Sequence, residues 1–270
     1  MKHLQPRKLV LTLTGSAILL ASVAFGITRT RSIIKRRNEV ATIAARREHL
    51  PRLMLWAWER PTDLRFINPE EAGVAFLART VRLRAGEVTV RPRLQSLELP
   101  EGAAVIAVAR VESDSARKPD LSETQREKLS VAIADMAKLP GVSNIQIDFD
   151  ANQSQRQFYR AVIFDVRRRL PATVGLSITA LASWCTYDDW LSDLPIDDAV
   201  PMLFRMAGDA RQIANRLDAR DDFIALKCRN SYGISLDEPR ANLLSSRRLY
   251  VFNPDPWTES SVRKILEPGK

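Results

Sequence analysis

From Leu53 onward the chain is a succession of short apolar runs separated by amphipathic stretches, and this alternation constrains its fold more than any other feature. Eight runs have the length and β-rich make-up of strands: LMLWAW (53–58), VAFLAR (74–79), AVIAVAR (104–110), IQIDFD (145–150), VGLSITA (174–180), VPMLFRM (200–206), FIALKC (223–228) and RLYVFN (248–253). Helical periodicity lies between several of them. Ser122 is a capping residue ahead of a face made by Leu129, Ile133, Met136 and Leu139, and Pro140-Gly141 stops that helix. Phe158, Val162, Val166 and Leu170 form a second stripe that ends before Pro171. Residues 210–217 and 259–266 are shorter versions. Strands interleaved with helices predict an α/β fold, a (β/α)8 TIM-like barrel, over residues 53–270. NPEEAG (68–73) is too short for a crossover helix, and Arg82–Pro100 reads as a hairpin turning at Ala85-Gly86. The predicted barrel is therefore irregular in its first third.

The charge belongs to a different part of the chain. Residues 1–52 hold eleven Lys/Arg and two Glu, which accounts for the whole net charge of +9; residues 53–270 carry 30 basic and 30 acidic side chains. The basic pI is thus no sign of a nucleic-acid-binding domain, and no nucleic-acid partner is expected. Leu9–Ile27 is uncharged and flanked by basic residues, so it is long enough to cross a bilayer as a helix. Residues 1–28 read as a transmembrane anchor or a signal segment, with the uncleaved anchor preferred because a basic run comes directly after it. Residues 29–52 read as a basic juxtamembrane linker. Lys/Arg counts on the two flanks favour a cytoplasmic domain, whereas the short basic start followed by one apolar run has the look of an export signal. The exported orientation, periplasmic or extracellular, is preferred. Cys185 and Cys228 read as two separate buried thiols, although export would let them pair.

Elimination narrows the chemistry. Both histidines, His3 and His49, precede Leu53, so the domain has no Ser-His-Asp or Cys-His arrangement and no His-ligated metal. No phosphate-cradling glycine motif occurs, and no cofactor is expected. Carboxylates must then carry any proton transfer. In SNIQIDFDAN (143–152), Ile145, Ile147 and Phe149 alternate with Gln146, Asp148 and Asp150, which places an amide and two carboxylates on one strand face. Packing alone does not explain two such costly groups. At the C-terminal end of a barrel strand they are candidate catalytic residues, with Asp150 the acid and Asp148 the neighbour that raises its pKa. Gln146 is expected to donate to Asp148. Glu112 is the best further carboxylate from a neighbouring strand.

Tryptophan placement suggests what the cleft would take. Trp58, Trp184 and Trp257 fall at or just past strand ends, where aromatic faces suit sugar rings. Trp56 and Trp190 read as core. Arg110, Arg205 and Arg229 also lie at strand ends, as salt-bridge partners of the mouth or as receptors for an anionic group. The expected substrate-binding set is Trp58, Gln146, Trp184, Arg205 and Trp257.

Two resemblances arise at these residues. WAWERPTDLRF (56–66), QIDFDA (146–151), LSITALASWC (176–185) and VPMLFRM (200–206) resemble a bacterial family of uncharacterised proteins, often preceded by an export signal or anchor. That resemblance spans roughly residues 53–257 and implies a glycoside-hydrolase-like barrel. SNIQIDFD (143–150) is also similar to the fourth-strand motif D-G-x-D-x-D-x-E of chitinase-type (family 18) glycoside hydrolases. Ser143 and Asn144 stand for its Asp-Gly, Gln146 replaces one Asp, Asp148 matches the next, and Asp150 stands where the catalytic Glu would be. Trp257 is similar to the tryptophan at the floor of those sites. The expected function is a membrane-anchored, glycoside-hydrolase-like protein acting on a cell-envelope or extracellular glycan, with residues 9–27 its contact with the membrane. The alternatives are a non-catalytic carbohydrate-binding barrel and a Mg-dependent phosphodiester hydrolase using Asp148, Asp150 and Glu112.

Overall fold

The computed structural model describes residues 41–46, 48–206, 208–239 and 242–267. The chain divides into two compact units, Met1–Ala45 and Arg46–Lys270. In the first, residues 41–45 are helical. The proposed anchor at 9–27 and most of the basic linker lie outside the described residues. No helix among the described residues is long and apolar enough to cross a membrane.

The second unit is a closed barrel of eight parallel strands. They are β1 (Leu53–Ala57), β3 (Ala72–Arg84), β6 (Val105–Ser113), β7 (Val142–Asp148), β8 (Gly175–Leu181), β9 (Asp198–Met202), β10 (Ser231–Ser235) and β11 (Arg248–Phe252). Each pairs with its neighbour in that order. β1 closes the ring by pairing with both β11 (Leu53↔Leu249) and β3 (Leu53↔Ala72). Helices α1 (Glu123–Ala134), α2 (Arg156–Arg169), α3 (Ala182–Tyr187), α4 (Ala210–Asp218) and α5 (Glu259–Leu266) come after β6, β7, β8, β9 and β11. The irregular first third is present: β3 turns into the antiparallel β4 (Glu87–Pro92), with Ala85 left-handed at φ 44° in the turn. Two short strands, β2 (Thr62–Asp63) and β5 (Leu97–Glu98), pair beside it.

Period-2 alternation splits every strand between two environments. The outward residues Leu53, Leu55, Ile145, Ile147, Leu176 and Ile178 join the helical stripes of Leu129, Ile133, Val162 and Val166 in one large core. The inward residues Met54, Trp56, Ala75, Ile106, Val108, Val200 and Tyr250 form a smaller core inside the ring. Two glycines exist for the space they leave there. A Cβ on Gly175 would lie 1.6 Å from Asn144 Oδ1, and one on Gly233 would lie 2.8 Å from Trp56 Cη2.

The floor of the barrel, at the strand N-termini, is closed by the chain that enters it. Arg46 pairs with Asp197 at 2.7 Å, His49 Nε2 lies 2.9 Å from Ser143 Oγ, and Leu50 is buried against the inner core. Arg248 donates to the carbonyls of Pro51 and Leu50 at 2.8 and 3.0 Å.

Two expectations are corrected. FIALKC is not the seventh strand: Leu226–Cys228 is a 3₁₀ turn, and Ile224 and Leu226 are 54% and 70% exposed. The seventh strand is SYGIS (231–235), in which Tyr232 and Ile234 face the outer core, leaving small Ser231, Gly233 and Ser235 as the alternate set. Gly233 on that face admits the indole of Trp56, and Ser231 and Ser235 donate to Asp198 and Asp237, so the strand lacks the apolar run that marks strands in a sequence. The cysteines are also not separate thiols: Cys185 and Cys228 form a disulfide with Cα atoms 5.8 Å apart. It ties α3 to the 3₁₀ turn and closes a loop of 43 residues. Loop-closure entropy for that span is worth roughly 2–4 kcal/mol. A Cys185→Ser/Cys228→Ser variant is expected to lose about that much in urea unfolding; an unchanged midpoint would mean the turn is held without the bond.

Candidate active site

A cavity of about 520 Å³ opens where the strands end, lined from β1, β6, β7, β8, β9 and β11 and from the start of α4. One wall is acidic and belongs to β6, β7 and β8. Arg110 and Asp148 are partners in the β6–β7 register, so their side chains emerge side by side. Arg110 Nη1 donates to Asp148 Oδ2 at 2.6 Å, and Thr179 Oγ1 donates to Asp148 Oδ1 at 2.7 Å. Asp148 itself is only 4% exposed. A buried carboxylate needs this double match, because leaving either oxygen unpaired costs several kcal/mol (about 3–5 if its cation is removed). Burial works against the charge of Arg110, yet Asp148, Asp150 and Glu112 hold its pKa above the ordinary value.

Asp150 stands in a different state. β7 ends at Asp148, and Ala151 N–H turns back to the carbonyl of Phe149, whose ring packs 5.1 Å from that of Tyr159. That turn projects Asp150 into the cavity. Asn152, not Asp150, caps the 3₁₀ turn Gln153–Gln155 that leads into α2, exchanging hydrogen bonds with Gln155. Among the described residues no hydrogen bond or ion pair reaches the Asp150 carboxylate. The Asp150 side chain is exposed to solvent where it lines the cavity, yet the protein atoms around it remove part of its hydration. Desolvation there, then the charge of Asp148, raises its pKa above the ordinary value, against the opposing pull of Arg110.

The opposite wall is aromatic. Phe204 and Phe252 stack with planes 3° apart and centroids 6.0 Å apart, and Trp58 meets Phe252 edge-on at 6.3 Å. Trp56, one turn of the pleat deeper, lies 5.5 Å from Tyr250. Arg93 steadies this wall: it donates to the carbonyls of Ala57, Trp58 and Arg60 at the end of β1. Its burial lowers its pKa from the ordinary value. Arg205 takes the left-handed backbone (φ 50°), its N–H donating to both oxygens of Glu238 at 3.0 Å and its guanidinium lying 5.2 Å over Phe252.

Of the sequence-predicted site residues, Asp148, Asp150, Trp58 and Arg205 line this one cavity. The others are elsewhere. Gln146 does not donate to Asp148; it is fully buried below the cavity, accepting from Trp56 Nε1 at 2.9 Å. Successive inward residues of one strand stand too far apart for a short amide to bridge, whereas Arg110 reaches from the next strand. Glu112 is exposed and drawn to Arg110 at 3.6 Å without lining the cavity. Trp184 is 3% exposed and packs on Trp190 at 5.0 Å, with Arg156 over both rings. It falls in α3, which turns its ring into the outer core. Trp257 donates to the carbonyl of Trp56 at 3.0 Å from outside the cavity. Arg229 braces its own loop through the carbonyl of Phe223 and Asp222. Sequence reasoning missed Phe204 and Phe252, whose signal was alternation with Met202 and Tyr250. It also missed Asp209, which lines the cavity from the start of α4 and makes no side-chain cap there. Among the described residues no group of three or more His, Cys, Asp or Glu gathers closely enough to hold a metal.

No family model matches the chain, and no curated protein does. Among solved structures, the Bacillus cereus spore cortex-lytic enzyme SleL is similar with a TM-score of 0.46 and 16% sequence identity, over 72% of this chain and 54% of that one. The chain thus spans about half the length of that protein.

The raised pKa of Asp150 has a sign that stability measurements read. The folded protein binds this proton more tightly than the unfolded chain, so stability falls as pH rises from the ordinary 3.8 through the raised folded value. Asp150→Asn removes that penalty and is expected to raise the melting temperature at neutral pH, with the gain vanishing below pH 3.8. In carboxyl NMR titrations, Asp148→Asn should lower the pKa of Asp150 and Arg110→Gln should raise it further. Shifts in the reverse directions would show that Asp150 does not sense this pair.

Proposed function

We propose that the barrel is a glycoside-hydrolase-like enzyme that cleaves a glycan by carboxylate acid/base chemistry. The observation that carries this reading is Asp150: an unbonded carboxylate with a raised pKa, inside a cavity, next to a carboxylate fixed by Arg110 and Thr179. A general acid must hold a proton at working pH and have no protein group competing for it. Asp150 would give its proton to the glycosidic oxygen as that bond to the anomeric carbon breaks. The fixed charge of Asp148 would favour the positive charge that builds on the sugar ring. Asp209 replaces Glu112 as the further carboxylate of the site, and would take a proton from the water that attacks the anomeric carbon. Trp58, Phe204 and Phe252 offer the flat apolar faces on which sugar rings stack. The Mg-dependent alternative needed Glu112 beside the two aspartates, but Glu112 is drawn to Arg110 outside the cavity and that donor set does not assemble.

We also read the domain as exported. The Cys185–Cys228 disulfide supports this, since such bonds persist in oxidising compartments. Residues 9–27 would then be the membrane anchor.

Asp150→Asn is expected to abolish glycan hydrolysis, by about 10²-fold or more, while ligand affinity changes little, because the amide keeps the shape and loses the proton. Reducing-end assays alongside calorimetry check both. Binding with no turnover in the parent protein would make the barrel a carbohydrate-binding module; turnover that survives in Asp150→Asn would remove Asp150 from the acid role.

A further inference from the structure

Two arginines line the cavity, and they are held in different ways. In the ring order β1, β3, β6, β7, β8, β9, β10, β11, β7 and β11 are four places apart and so lie opposite each other. Asp148 and Asp150 rise from β7, whereas the Arg205 guanidinium lies over Phe252 of β11. The other cation of the cavity, Arg110, is committed to Asp148. Arg205 is not committed in that way. Its guanidinium pairs only loosely with Asp237, 4.0 Å away, which already accepts from Ser235, while Glu238 is taken up by the backbone N–H; the Arg205 side chain is 58% exposed.

Much of the local structure serves to keep Arg205 where it is. A left-handed backbone on a residue with a Cβ costs of order 1 kcal/mol. It persists here because both oxygens of Glu238 take the Arg205 N–H, and because the guanidinium rests on a ring that is itself stacked on Phe204. An exposed arginine whose only task was solubility would need none of this. A guanidinium seated over an aromatic ring, with its side chain exposed at a cavity, is a fork for a carboxylate.

We infer that the glycan taken by this cavity carries a carboxylate, and that Arg205 binds it on the wall opposite Asp148 and Asp150. This inference rests on the glycan reading and narrows its substrate class to acidic sugars. The carboxylate can sit on the ring itself, as in a uronic acid, or on an ether substituent, as in muramic acid. Asp150 lines the cavity beyond the end of β7, opposite the β11 ring that carries Arg205, so an acidic group is repelled there and directed towards Arg205.

The test uses the full chain in detergent with Asp150→Asn, so that bound glycan stays intact. Hexagalacturonate, a muramic acid-containing oligosaccharide and neutral chitohexaose are titrated by calorimetry at low and high salt. Arg205→Asn is the informative second change, since asparagine tolerates the left-handed backbone and keeps the N–H for Glu238. At least one acidic ligand should bind more tightly than chitohexaose, and that preference should shrink with salt. Arg205→Asn should cost the acidic ligand about tenfold to a hundredfold in affinity, and chitohexaose much less, so that the acidic preference is lost. Which acidic ligand responds identifies the source of the carboxylate. If chitohexaose binds as well as either acidic ligand, or if Arg205→Asn weakens all of them alike, the inference is overturned while the glycan reading stands. If none of the three binds, both fall.

Discussion

Arg110 and Asp148 face each other from neighbouring strands, and the upper half of the barrel is arranged around that pair. Removing an ionised carboxylate from water is tolerated only if its oxygens find donors of the right geometry. The β6–β7 register supplies one donor and β8, through Thr179, supplies the other. Once both oxygens of Asp148 are taken, its charge is fixed in place, and Asp150 must stand beside it without a partner. The unequal lot of two identical side chains, two residues apart, is a product of strand geometry. One still lies within the ladder, and the other has passed its end.

The same geometry separates work from support across the molecule. Outward residues build the larger core with the helices, and inward residues narrow the ring to a packed middle. The polar and aromatic groups that remain inward cluster where the strands stop. The floor is filled by the entering chain, through Arg46, His49 and Leu50. The mouth stays open, its walls braced by groups that never enter it. Arg93 fixes the end of β1, Glu238 fixes the backbone of Arg205, and the disulfide fixes the turn beside α3.

The barrel was legible in the sequence because most of its strands carry apolar residues on both faces. SYGIS was not, because three of its five residues are small, Gly233 to accommodate Trp56 and the two serines to bond Asp198 and Asp237. FIALKC misled for the converse reason: Phe223, Ala225 and Cys228 anchor a turn in the outer core while Ile224 and Leu226 face solvent, so an apolar run forms no strand. The acid pair was legible from alternation alone, since Asp on one strand face has no ordinary packing role. The partners of Asp148 were not, because they come from neighbouring strands, and register between strands is not written in either strand. Trp184 shows the limit of arguing from position: it lies a few residues past a strand, but a helix begins at once and turns the ring away. Arg205 was legible as a strand-end cation, but not its left-handed backbone or its seat over Phe252; Asp209 gave no local sign at all, as its place depends on the conformation of the loop before α4.

Gly233 carries a consequence for the shape of the cavity. Its missing side chain is the space into which the edge of the Trp56 indole fits, and Trp56 is also part of the cavity lining. The indole cannot retreat further, and it is tied by its N–H to Gln146. The depth of the recess is therefore set by an atom that is absent from β10, two strands away from Trp56 in the ring. In relatives of this barrel, the residue at that place would act as a stop of adjustable height: any larger side chain would lift the indole towards the mouth and shorten the guest that fits, with no change to the groups that do the chemistry.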